Sequence, residues 1–252
     1  MAQLMKTSNP ALSGDTFRTG EAALGGSMTV SGTVNKTGIL LLCCVATAAW
    51  TWNRFFNAPP EEAMQAMAPA LVIGGVGGFI VAIVTIFKKE WAGITAPIYA
   101  LLEGLVLGGI SAMLEMRYHG IAIQAVSLTF GTLVIMLLAY RSGLIKVTER
   151  LRLGIVAATG GIAVFYLLQF ILGFFGVHFT AINGSSPIGI GFSLIVVAVA
   201  ALNLVLDFDL IENGARLGAP KYMEWYGAFA LMITLIWLYF EILRLLSKFR
   251  SR

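Results

Sequence analysis

Asp207 closes a run of 54 residues, Leu153 to Leu206, that holds no Asp, Glu, Lys or Arg. A carboxylate at that junction offers two kinds of chemistry. It can bind a hard cation through oxygen, or it can take up and release a proton as a switch. An ionisable group near the centre of a membrane helix costs about 2.5–3.5 kcal/mol and less toward the ends, so it is a functional-site candidate by default. The plainer reading is that Asp207 and Asp209 begin a solvated loop. Asn203 lies four residues before Asp207 and shares its helical face, whereas Asp209 is turned about 200° away. Asp207 is therefore expected to be the deepest acid and Asp209 the more solvated one.

Glu103 is the second buried candidate, with twelve uncharged residues before it and eleven after it. It is expected to face the bundle interior, near the sixth or seventh helix, where burial penalises its charged form. Tyr226, Ala230, Thr234 and Glu241 fall on one face near the C-terminus. Arg244, one turn past Glu241, reads as its partner in an ion pair at the membrane edge. Other signals are weak. Cys43 and Cys44 are adjacent and read as small apolar fillers, and His119 and His178 read as interfacial residues. No metal-ligand spacing, cofactor motif or phosphate-cradling loop appears, and Gly109-Ile110-Ser111-Ala112 lacks the second Gly and the partner His of a serine nucleophile. No enzymatic activity and no cofactor are expected.

These residues need elements to hold them. Charged residues make up 12% of the chain and apolar ones 58%, against about 25% charged in a soluble domain. In lipid every backbone polar group is satisfied internally, so spans are helices or closed barrels. Barrel strands would alternate in polarity, and the apolar runs here are continuous. The expected fold class is an all-α membrane protein, a bundle of seven transmembrane helices in a lipid bilayer. A helix crosses with about 20 apolar residues. Such segments lie between Lys36 and Arg54 and at about Ala66 to Phe87, Pro97 to Met116 and Ile121 to Tyr140. The uncharged run suits two more, divided near Gly176 to Pro187, and the last covers about Trp225 to Leu246. The organisation is a polar tail over 1–36, a membrane domain over 37–246 and a basic tail over 247–252. The net charge of +4 is spread between spans, which excludes a nucleic-acid surface.

Orientation follows from Lys and Arg in short loops. The N-terminal tail and the second, fourth and sixth loops hold eleven, and the first, third and fifth hold two. The N-terminus is thus expected in the cytoplasm. An odd number of spans then places Arg244, Lys248, Arg250 and Arg252 outside. Either the charge rule fails at the last helix or one segment enters and leaves on the same side. Gly74 and Gly78 share a face, as do Gly104, Gly108 and Ala112. Such ridges of small residues let helices approach closely in lipid.

Glu103-Gly104-Leu105 in the third helix, Val205-Leu206-Asp207 in the sixth and Leu243-Arg244-Leu245-Leu246 in the last resemble the Bax inhibitor-1 family. Ser8-Asn9-Pro10-Ala11-Leu12, Met28-Thr29-Val30 and Trp225-Tyr226-Gly227 are similar to its bacterial branch, and the resemblance covers essentially the whole chain. It implies a seven-helix bundle with the last helix central, a bacterial plasma membrane and a proton-sensitive calcium leak. It further implies an Asp pair, one each on the sixth and seventh helices, that shares a proton and latches the pore. Asp207 matches the first. Thr234 stands at the second, so the two-Asp latch does not carry over, and Glu103, Asp209 and Thr234 remain as candidate partners of Asp207.

Two functions follow. The first is a proton-sensitive cation pathway, for calcium, gated by membrane carboxylates. Asp207, Glu103, Asp209, Asn203 and Thr234 would line or gate it, and Asp207 and Glu103 would contact calcium transiently. The second is a non-conducting regulator that binds another membrane protein, such as a quality-control protease. An intramembrane aspartyl protease needs two Asp on facing helices. Asp207 and Asp209 share one helix and point apart.

Overall fold

The computed structural model describes residues 26–59, 61–176 and 179–251. Seven helices are long and apolar enough to cross a membrane. They are α1 (Val30–Asn57), α2 (Ala63–Phe87), α3 (Ala92–Arg117), α4 (Ile121–Arg141), α5 (Glu149–Phe174), α6 (Pro187–Arg216) and α7 (Met223–Arg250). A single 3₁₀ turn, Lys89–Trp91, precedes α3, and one helical turn, Thr180–Asn183, precedes α6. No strand occurs among the described residues. His178 and the Ser8 to Leu12 motif lie outside them.

Local chemistry sets the helix starts. The Thr29, Thr148 and Ser186 side chains accept from the backbone N–H groups of Gly32, Leu151 and Gly189, closing the first turns of α1, α5 and α6. Pro187 occupies the first turn of α6, where its missing N–H costs nothing. α4 starts at Gly120, whose φ of 80° turns the chain sharply after α3.

The elements outrun the expected boundaries in three places. α1 begins at Val30, so residues 30–36 of the expected tail are helical. α7 continues to Arg250, through most of the expected basic tail. α6 continues past Asp207 and Asp209 to Arg216. The loop reading of those two acids is thereby overturned: both sit inside a helix, more than one turn from its end.

α7 is the central element. It packs against α6, α1, α4 and α3, and 67% of its apolar stretch is buried, against 6% for α5, which packs on α6. The α1–α3 and α2–α3 contacts are the closest. A Cβ on Gly104 would overlap the Thr47 hydroxyl and the Cys44 carbonyl of α1, and one on Gly108 would overlap the Ala48 carbonyl. On the other side of α3, a Cβ on Gly74 would stand 2.6 Å from the Leu102 carbonyl oxygen. Both small-residue ridges are packing surfaces. Thr47 Oγ1 donates across to the Leu101 carbonyl at 2.8 Å. Cys44 is buried in the core beside Leu40 and Tyr99, a filler as expected.

Both ends of the bundle are tied. On the N-terminal face, Met28 N donates to the Ala219 carbonyl at 2.7 Å, joining the start of α1 to the α6–α7 loop. On the opposite face, Arg250 donates to the His119 carbonyl and to Gln124 Oε1, joining the end of α7 to the α3–α4 turn. The two termini of the helical domain therefore lie on opposite faces. The C-terminal basic residues have partners within the fold: Arg244 pairs with Glu241 at 3.2 Å. Lys248 is buried and donates to the Ile182 and Gly189 carbonyls at 2.7 and 3.0 Å and to Ser193 Oγ at 2.9 Å.

Candidate functional site

Asp207 is fully enclosed, at 0% exposure. Here α6 is buried around its whole circumference, since Asn203 to Phe208, Leu210 and Ile211 are all buried. α7 passes it with an equally enclosed run from Tyr226 to Met232. Thr234, 3% exposed, donates its hydroxyl proton to Asp207 Oδ2 at 2.6 Å. Of the three candidate partners, the structure brings Thr234 to Asp207. A short hydrogen bond between the two most buried helices is the kind of polar contact that a low-dielectric interior strengthens.

The other predicted residues have these further partners. Asn203 is buried and donates to Thr159 Oγ1 of α5 at 2.8 Å and to the Val199 carbonyl at 2.9 Å. It shares the α6 face with Asp207 by spacing, and these two bonds tie that face to α5 and to the preceding turn of α6. Asp209 points away, as its register requires. Its Oδ2 accepts from Arg152 of α5 at 2.8 Å, and Tyr140 of α4 donates to it weakly, at 3.5 Å. Tyr140 donates more closely to Glu212, at 2.7 Å. Asp209 is thus part of an α4–α5–α6 clasp, with Arg152 only 6% exposed.

Glu103 departs from expectation. It faces α2 rather than the sixth or seventh helix, and its Oε1 stands 2.8 Å from where a Cβ on Gly78 would be. Gly78 is what makes room for the carboxylate. Cys44 of α1 and Tyr99 lie within electrostatic reach of it. Asp207 and Glu103 therefore occupy separate interfaces. No cluster of three or more His, Cys, Asp or Glu forms a metal site among the described residues.

Three polar centres escaped sequence reasoning. Glu224, fully enclosed at the start of α7, accepts from Thr29 N and Oγ1 at 2.9 and 2.8 Å, from Lys221 Nζ at 2.8 Å and from Lys36 Nζ. Its carboxylate fills the space above Gly32, where a Cβ would overlap it. The legible signal was Thr29, Gly32 and Lys36 on one helical face. The second is Tyr166 of α5, which donates to Glu241 at 3.1 Å and stacks under Arg244, 4.9 Å from ring to guanidinium. The Glu241–Arg244 pair expected from spacing is present, and Tyr166 extends it. The third is Ser111, whose hydroxyl lies 2.6 Å from that of Tyr239, so it serves a helix–helix contact.

The arrangement unites a membrane bundle, an enclosed Asp on the penultimate helix and a central last helix. The Bax inhibitor 1 like family model matches residues 9–251, nearly the whole chain. The chain belongs to the Bax inhibitor 1 like family. No curated protein and no solved structure matches it. For this family member the described geometry gives a carboxylate–hydroxyl pair, Asp207–Thr234, in the α6–α7 interface. Such a pair has a single acidic proton to exchange.

Proposed function

We propose that this protein is a proton-sensitive cation leak, for calcium, in a bacterial plasma membrane, and that Asp207 is its gate. The observation that carries the reading is the enclosed Asp207 carboxylate held by Thr234 at 2.6 Å between the two most buried helices. In the enclosed arrangement α6 and α7 are latched through this bond. A conducting state requires the two helices to part there, so that the carboxylate oxygens meet a cation in place of the hydroxyl. Protonation of Asp207 removes the charge that a cation would neutralise and changes the hydrogen bond with Thr234. Both effects make the latch respond to pH. Glu103, in its own interface beside Gly78, acts as a second carboxylate along α3. No enzymatic step is part of this reading.

The orientation proposed is N-terminus inside. Lys36, Lys88, Lys89, Arg141, Lys146, Arg150, Arg152, Arg216 and Lys221 gather on the N-terminal face. The experiment is calcium flux against pH through purified protein in liposomes. Wild type is expected to show a pH-dependent flux that Asp207→Asn flattens. An unchanged profile in Asp207→Asn removes this residue from gating, and no flux at any pH rejects the leak.

A second reading is a non-conducting regulator bound to another membrane protein. What favours it is α5, which packs on α6 alone among the larger contacts and exposes Leu167, Leu168, Phe170 and Phe174. Capture of a stoichiometric partner lost on substituting these residues would support it.

A further inference from the structure

α1 and α4 stand apart along their length, and the gap between them is a lateral groove. Its half at the N-terminal face has a volume of about 890 Å³ and runs past Thr37, Gly38, Leu133 and Leu137. The other half, about 630 Å³, continues toward Trp52 and Asn53. Leu41 lines both; α6 (Phe208, Ile211) with Leu231 of α7 backs the first half, and α7 from Met232 to Tyr239 backs the second. From Val30 to Asn53 the groove follows α1 for roughly 35 Å, the full hydrocarbon thickness. Its rims face outward, with Val34 62% and Ile123 66% exposed.

The polar atoms of this groove are unevenly placed. Thr33 and Thr37 donate their hydroxyls to their own helix, at 3.1 and 3.0 Å, so the inner walls ask for no polar ligand. Charge is concentrated at the mouth on the N-terminal face, where Arg141 and Lys146 are both exposed. No ion pair reaches either among the described residues. The one carboxylate there, Glu212, already accepts from Tyr140 at 2.7 Å. A cationic mouth above a long apolar trough has the polarity profile of an amphiphile with an anionic head. A protein helix, about 10–12 Å across, would leave the two cations unanswered unless its own acid happened to meet them.

We propose that the groove is a binding site for an anionic phospholipid of the leaflet at the N-terminal face. Its phosphodiester sits between Arg141 and Lys146, and its acyl chain runs inward past Gly38 to Leu41. The site is independent of ion conduction. A zwitterionic lipid offers the same phosphate, but its terminal ammonium gains nothing beside two cations, so the head group decides the affinity.

The test is native mass spectrometry of the full-length protein released from nanodiscs of phosphatidylglycerol and phosphatidylcholine with matched chains. Wild type is expected to retain phosphatidylglycerol in preference. Arg141→Gln with Lys146→Gln should lower that retention by roughly tenfold or more, since each cation near an anionic head group contributes about fivefold. Gly38→Phe should lower it independently. A Cβ at residue 38 meets nothing within 4 Å, so the new ring enters the groove without straining the helix. Lys88→Gln with Arg150→Gln, on the same face but outside the groove, should leave retention unchanged. Equal retention of the two lipids, or equal loss in the Lys88/Arg150 control, overturns the proposal. So does a Gly38→Phe protein that keeps its lipid. A lipid-free wild-type chain, monomeric or paired with a second copy, overturns it as well.

Discussion

At the scale of single residues, the replacement of a second acid by Thr234 has the largest consequence. Two carboxylates in contact titrate in two coupled steps, whereas a carboxylate with a hydroxyl titrates in one. Calcium flux against pH is therefore expected to show one transition in wild type and two in Thr234→Asp, where a second negative charge disfavours ionising the first. A single unchanged transition in Thr234→Asp would separate Thr234 from the gate. Glu224 makes the opposite case, an acid whose partners are cations and N–H groups rather than a pore. Glu224→Ala leaves Lys36 and the Thr29 N–H without their acceptor. Because Lys221 is half exposed, its share is small, and the expected loss is about 2–3 kcal/mol. Chemical denaturation in detergent micelles reads it, and a loss below 0.5 kcal/mol, the ordinary range of surface substitutions, would demote the cluster to a surface contact. Glu103→Gln should fold as wild type does, because it removes a desolvation cost and keeps the shape over Gly78.

At the scale of elements, the α1–α3 seam rests on backbone proximity. Gly104 and Gly108 press against the Thr47, Cys44 and Ala48 positions with no space for a methyl group. In lipid no hydrophobic force compensates a lost fit, so the seam depends on van der Waals contact and the Thr47 to Leu101 hydrogen bond. Gly108→Leu is expected to destabilise by about 3 kcal/mol through overpacking. Gly160→Leu on α5, where a Cβ meets nothing within 4 Å, should be neutral within about 0.5 kcal/mol. Thermal melts of both in the same detergent test the contrast, and equal melting temperatures would refute it. α6 differs from both. Its burial around Asp207 comes from α7, α4 and α5 together, while Asp209 and Glu212 on the same helix keep partial or full exposure.

At the scale of the whole molecule, seven crossings place the two ends of the helical domain on opposite faces. Single-Cys probes in a background without Cys43 and Cys44 test this. Lys146→Cys should label from the cytoplasm and Ser251→Cys from outside, and labelling of both from one side would refute the seven-span reading. The spans, their number and the special place of Asp207 were legible in the chain, because apolar runs and their interruptions are local properties that lipid enforces segment by segment. So were the Gly ridges, the Glu241–Arg244 pair and the divergence of Asp207 from Asp209, since each rests on helical periodicity alone. The partners were not legible. Thr234 was one of three candidates for Asp207, and choosing among them, like Arg152 reaching Asp209, Glu224 gathering Thr29 and Lys36, and Glu103 turning to Gly78, depends on which helices are neighbours and at what rotation. In lipid that choice is made by small differences in packing between helices nearly equal in hydrophobicity. It is also why Lys248, one of the basic residues at the C-terminal end, is a buried donor to two carbonyls and a serine in the fold.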